Sequence, residues 1–185
     1  MTRVQNKLFA NQAKALNWQL YAEAWSISKE EMERFEGELR RYSKERRYEP
    51  DYEAEFLAQR YRIYLSLKWL EQALVERGGV QSPGSLQGLE MGGITIVTDL
   101  LTQDFPQVSW QNTSGDIRYP WKNPDASADL IVSMEVLEHL SDLPDGINNG
   151  FYGTGMRVAL SESYRVLKPG GMLFITTPNA ASAFN

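Results

Sequence analysis

Two textures of apolar and polar positions divide the chain. From Asn11 to Arg77 apolar residues recur at three- and four-residue spacing, as in Leu16, Leu20, Ala24 and Ile27, and at near-helical intervals in Phe56, Tyr61, Leu65, Trp69 and Leu70. Such spacing lays an apolar stripe along one face of a helix. The abundance of Ala, Leu, Glu, Arg and Lys, interrupted only by Gly37 and Pro50, agrees with helices throughout. Ser28 followed by Glu31 has the form of a capping box opening a second helix, and Pro50-Asp51 punctuates before a third that should stop at Gly78-Gly79.

Residues 80–88, VQSPGSLQG, read as a linker rich in Ser, Gly and Pro. Beyond them the pattern changes to short apolar runs separated by turn residues. Leu89–Met91, Val108–Trp110, Asp129–Met134 and Met172–Thr177 are predicted strands. Val97–Leu101 and Ser161–Leu167 are predicted helices, the second stopped by Lys168-Pro169-Gly170-Gly171. The run DLIVSM has the unbroken apolar centre of a strand buried on both faces. Strands alternating with helices predict an α/β domain over residues 80–185 with a mainly parallel sheet, preceded by a helical arm over residues 1–79.

Composition narrows the function classes. A chain of 185 residues suits one core with an appendage. It has no cysteine, which removes disulfides, thiolate metal sites and cysteine nucleophiles. No apolar run has the length of a membrane span and no secretory leader is visible, so the expectation is a cytoplasmic protein without a membrane span. The net charge of -5 lies entirely in the second half: residues 1–76 hold 13 Lys+Arg and 13 Asp+Glu, the remainder 6 and 11. An acidic domain does not attract a polyphosphate backbone, so nucleic acid is not an expected partner and a cationic or neutral ligand suits it better. Arg40, Arg41, Lys44, Arg46 and Arg47 form a basic cluster, but Glu38, Glu45 and Glu49 interleave with it, as on a solvated helix face.

In open parallel sheets ligands lie beyond the carboxyl ends of the strands. Ser133, Met134, Glu135, Glu138 and His139 fall at such an end. Glu135 and Glu138 read either as functional carboxylates or as complements to a helix dipole. His139, the chain's only histidine, is the candidate general base for a substrate hydroxyl or amine; the other reading is a residue fixing the loop by hydrogen bonding. The loop Leu143–Gly155, with Phe151 and Tyr152, reads as a substrate loop or a plain surface loop.

DLIVSMEVLEHL followed by ESYRVLKPGGMLFITTPN resembles the class I S-adenosylmethionine-dependent methyltransferases, in particular UbiE/UbiG-like, type 11 members, over roughly residues 86–185. The resemblance implies a Rossmann-like sheet with helices on both faces, S-adenosylmethionine as cofactor, and a small-molecule, glycan or lipid acceptor. LEMGGIT is similar to the first cofactor motif, which assigns Glu90 to the amino-acid end of the cofactor and sets the main chain of Gly92 and Gly93 against it; the usual third glycine is Ile94 here. SGDIRYPW is similar to the segment beside the adenine, giving Asp116 the exocyclic amine and Ile117 the ring. Ser133, Met134 and Glu135 would complete the cofactor site, with Glu138 and His139 as catalytic residues. Glu135, Glu138 and His139 also match a Glu-x-x-Glu-His metal spacing found in some related enzymes, but a second histidine is missing, so no metal is expected.

Two departures from that family stand out. Gln111 or Asn112 occupies the place of the acidic residue that accepts the ribose hydroxyls, and there is no room between Val108 and Asp116 for a further helix and strand. The sheet should therefore have fewer than the family's seven strands, with its C-terminal strands absent and an open edge that the arm, a second copy of the chain or a missing portion would cover. A catalytically inactive binding or assembly module is the alternative to a methyltransferase. A nicotinamide dehydrogenase is disfavoured, because no G-x-G-x-x-G opens a helix.

Overall fold

A computed structural model describes residues 26–76, 85–93, 95–113, 115–140 and 154–177. The chain forms two compact units, the first reaching to Trp69 and the second beginning at Leu70. The division thus falls within a helix, ahead of the expected linker.

The first unit is helical. Helix α1 (Lys29–Glu45) begins where the capping box foretells: Ser28 Oγ accepts from the Glu31 amide at 3.1 Å, and Glu31 Oε2 accepts from the Ser28 amide at 2.9 Å. Two of the four amides a helix start leaves without partners are satisfied in this way. Met32, Phe35 and Leu39 fill the buried face, and the Phe35 ring meets Tyr64 edge-on at 5.2 Å. The third predicted helix is two helices, α2 (Pro50–Ala58) and α3 (Arg60–Glu76). The break comes at Gln59, whose amide turns to the carbonyls of Glu55 and Phe56. No glycine or proline marks this break, so periodicity alone runs straight through it. The stripe of Leu16, Leu20 and Ala24 and the stop at Gly78-Gly79 lie outside the described residues.

The second unit is built in the order β1 (Leu86–Glu90), α4 (Ile96–Asp104), β2 (Val108–Asn112), β3 (Ala128–Met134), a 3-10 turn (Leu137–His139), α5 (Thr154–Val166) and β4 (Leu167–Thr176). The four strands form a parallel sheet in the spatial order β2-β1-β3-β4. After β1 the chain moves to one side, and after β2 it returns to the other side of β1. On one face Leu89, Ile131 and Leu173 lie in register and join Ala159 and Val166 of α5, Ile117, Trp121 and Leu137 in one apolar cluster. The opposite face carries Glu90 and Val132 in register, and α4 reaches it through Thr98. Leu130, Ile131 and Val132 are all fully buried, as the unbroken apolar run requires of a strand covered on both sides. Each such side chain contributes about 1.5–3 kcal/mol by leaving water. The expected α/β architecture, a parallel sheet with helices on both faces, is the one observed, with four strands among the described residues.

Several boundaries move, and α5 begins at Thr154, ahead of the expected Ser161. β1 begins at Leu86, inside the segment expected to be linker, and Gly88 is a strand residue paired with Trp110. β4 begins at Leu167 instead of Met172: Ala128 pairs with Leu167 and Leu130 with Met172, so Lys168 to Gly171 bulge between them. Lys168 Nζ bonds Asp129 Oδ2 at 2.8 Å and ties the bulge to β3. Among the described residues no helix is long and apolar enough to cross a membrane.

Candidate functional site

The strand order reverses at β1, so the carboxyl ends of β1 and β3 flank the switch point where parallel sheets bind their ligands. Glu90 ends β1 and is only 5% exposed. A buried carboxylate requires donors, and here they come from both neighbours: Thr98 Oγ1 donates to Glu90 Oε2 at 2.6 Å and Asn112 Nδ2 at 3.2 Å. Thr98 stands in the first turn of α4, where its hydroxyl also accepts from the Thr95 amide at 3.0 Å. Asn112 ends β2 directly beside Glu90 in the register, and its amide reaches the Gly93 carbonyl as well, at 3.3 Å. The pleat sets Gln111 and Asn112 on opposite sides of the sheet. Asn112 faces Glu90, while Gln111, one residue earlier, points to the opposite side and is exposed.

The turn after Glu90 approaches the β3 loop. Gly92 has φ +125, its amide donates to Thr113 Oγ1 at 3.2 Å, and a Cβ built on it would stand 3.6 Å from Val136 Cγ2. Around Gly93 a Cβ would meet nothing within 4 Å. Ile94 lies outside the described residues. Across the switch point Ser133 is fully buried and Met134 half-buried. Glu135 follows at φ +57 with its amide bonded to the Thr176 carbonyl at 3.0 Å. A non-glycine residue in that region costs about 1–3 kcal/mol and is held there by its surroundings, a kind of strain that concentrates at functional sites.

Glu138 and His139 come together in the 3-10 turn, with His139 Nε2 3.9 Å from Glu138 Oε1. The imidazole is 78% exposed and reachable from solvent. Among the described residues no three of His, Asp and Glu are grouped to hold a metal ion. Of the loop expected at Leu143–Gly155, residues 143–153, with Phe151 and Tyr152, lie outside the described residues, and Thr154 and Gly155 belong to the start of α5.

Asp116 and Ile117 sit in the connection from β2 to β3. Ile117 is buried and its carbonyl accepts from the Trp121 indole at 3.2 Å. Asp116 is gripped by Arg118: Nε lies 2.9 Å from Oδ1, Nη2 2.6 Å from Oδ2, and the Arg118 amide 3.0 Å from Oδ1. These bonds hold the Asp116 carboxyl below the usual carboxylate range. A folded-state pKa below the unfolded one adds stability above the unfolded value and loses it as pH falls through the folded value. Arg118→Ala should therefore return the Asp116 titration upward toward the ordinary aspartate value, followed by carboxyl carbon NMR. An unmoved titration would show that Arg118 is not the cause.

Thr98, Thr113 and Arg118 escape a reading for ligand groups, since each acts on a neighbour. A signal for Thr98 did exist: Thr95 and Thr98 have the spacing of a helix cap, which places a hydroxyl in the first turn of α4.

Residues 47–185 match the family described as Methyltransferase domain. A stretch of 56 residues is 39% identical to a protein of Mycolicibacterium smegmatis (strain ATCC 700084 / mc(2)155) named as a probable S-adenosylmethionine-dependent methyltransferase. That stretch takes in 30% of this chain and 17% of the length of the relative. With the family match covering well over half of the residues, and a parallel sheet whose switch point lies between Glu90 and Ser133, the chain belongs to the methyltransferase domain family.

Proposed function

We propose that this protein binds S-adenosylmethionine across the tips of β1 and β3 and transfers its methyl group to a nucleophilic oxygen, nitrogen or carbon of a small-molecule, glycan or lipid acceptor. The observation that carries the reading is the switch point itself, where a buried carboxylate, a left-handed glycine and a strained Glu135 converge. The donor set suits a cationic nucleoside. Open space beside Gly93 leaves room for close approach, and the fully buried Ser133 Oγ has no hydrogen-bond partner among the described residues. Such an orphan is costly unless a ligand or water meets it.

In this reading Glu90 stands at the ammonium end of the cofactor, fixed by Thr98 and Asn112. The main chain at Gly92 and Gly93 lies against the ligand, with Ser133, Met134 and Glu135 opposite. Asp116 accepts from the exocyclic amine of the base, and Ile117 flanks the ring. When bound, the cofactor supplies a methyl already activated on a sulfonium. The protein's own residues would align the acceptor atom against that methyl, with His139 taking the acceptor proton and Glu138 beside it. The same reading takes the cytoplasm as the compartment and allows two copies to pair through the helical arm or the open sheet edge.

Thermal melting with S-adenosylmethionine and S-adenosylhomocysteine tests this reading. Ligand at a hundredfold excess over its Kd should stabilise by about 2.7 kcal/mol. Asp116→Ala should shrink the shift, and melting that ignores both ligands would count against the site. Given a methyl acceptor, His139→Ala should lower kcat by about 100-fold while S-adenosylhomocysteine binds as before. One observation favours the alternative, an inactive binding or assembly module: Asn112 stands where a ribose-binding carboxylate is expected, and its amide is committed to Glu90 and Gly93.

A further inference from the structure

The residues proposed above for the base, Asp116 and Ile117, belong to a connection between Thr113 and Ser127 that has no strand or helix among its described residues. A segment without a backbone ladder keeps its shape only through other bonds; beside the local grip of Arg118 on Asp116, α5 supplies a set of them from some forty residues away. Glu162 Oε2 accepts from the Trp121 amide at 2.7 Å. Arg165 Nη2 donates to the Trp121 carbonyl at 3.1 Å, and Nη1 to the Asn123 carbonyl at 3.0 Å and to Asp125 Oδ1. Arg165 Nε and Nη2 also bond Glu162, which holds the carboxylate in place to accept from Trp121. The main chain of α5 continues the seam: the amides of Ala126 and Ser127 donate to the carbonyls of Arg165 and Val166, at 3.0 and 2.8 Å. Trp121, 5% exposed, passes the constraint on, because its indole donates to the Ile117 carbonyl.

We infer that Arg165 and Glu162 are positioning residues that set the base selectivity of the nucleoside site, acting through Trp121 to hold Asp116 and Ile117 at the edge of the base. The inference rests on the cofactor reading above. The planar fork of arginine is what the arrangement needs: one guanidinium meets two carbonyls and two carboxylates in fixed directions, which a lysine ammonium on a flexible stem cannot do. Neither side chain touches the ligand in this account.

Calorimetry of the full chain with S-adenosylhomocysteine and with its analogue carrying hydrogen in place of the exocyclic amine tests the inference. A hydrogen bond to a charged acceptor separates the two ligands by about tenfold or more in the wild type. Arg165→Lys should reduce that preference to about twofold, with faster amide exchange over residues 115–127 and unchanged exchange in β3. If Arg165→Lys folds poorly, Glu162→Gln keeps an acceptor for Trp121 while weakening the grip of Arg165, and its preference should fall to about threefold. A variant that keeps the full preference overturns the inference and leaves the cofactor reading standing; a wild type that binds both ligands equally overturns it and also removes Asp116 from the base, while binding at the tips of β1 and β3 stands. A wild type that binds neither ligand removes both.

Discussion

Gly92→Val should cost more than 100-fold in affinity for S-adenosylhomocysteine while lowering the melting temperature only modestly. At φ +125 the residue occupies a region that side chains with a Cβ rarely adopt, and a β-branched one least of all. The cost in the folded state is about 1–3 kcal/mol. Space is not the obstacle, since the added Cβ would meet only Val136 Cγ2 at an ordinary 3.6 Å. The turn would relieve the strain by rotating, and rotation breaks the bond from its amide to Thr113 Oγ1 and moves the main chain that faces the ligand. Calorimetry beside a melting curve separates the two effects. Affinity within threefold of the wild type would show that this turn does not meet the nucleoside.

Gly88→Val should do the reverse, lowering the melting temperature by about 5–10 °C or preventing folding. Its backbone is ordinary extended strand; the constraint is what lies over it. A Cβ at this position would stand 2.4 Å from Val108 Cγ1 and 2.7 Å from Trp110 Cε3, both on the neighbouring strand. Overpacking of that kind costs about 1–3 kcal/mol or more, and each kcal/mol moves the melting temperature of a chain of this size by about 2–4 °C. Differential scanning calorimetry on Gly88→Ala and Gly88→Val should show a graded loss. Melting unchanged in both would mean that Trp110 does not pack over Gly88.

These two glycines mark how far the sequence could be read. Gly92 was legible because it follows an acidic residue in a strand-to-helix turn, a local pattern with a local cause. Gly88 was not: in VQSPGSLQG it reads as one more flexible linker residue, and the ring above it comes from Trp110, which only the β1–β2 register brings there. The same division runs through the site. Ser133 and Glu135 could be placed at a strand tip from an apolar run that ends in polar residues, whereas Glu90 was reached only through the resemblance of LEMGGIT to the cofactor motif. That Asn112 would spend its amide on Glu90 required the pairing of two strand ends.

What the sequence determined by itself was therefore short-range. The Ser28–Glu31 cap, the buried run of β3 and the turn at Gly92 each depend on residues within a few positions of one another, where backbone geometry and side-chain chemistry leave few choices. The break at Gln59 shows the limit, for nothing local marks it. Tertiary structure decided the rest: the strand order that makes β1 and β3 flank one switch point, the closing of Trp110 over Gly88, and the bonds from Arg165 to the connection bearing Asp116. Each of these joins segments 22 to 44 residues apart. The physical reason is that register and docking minimise the energy of the whole sheet with its helices, and no single stretch of chain contains that information.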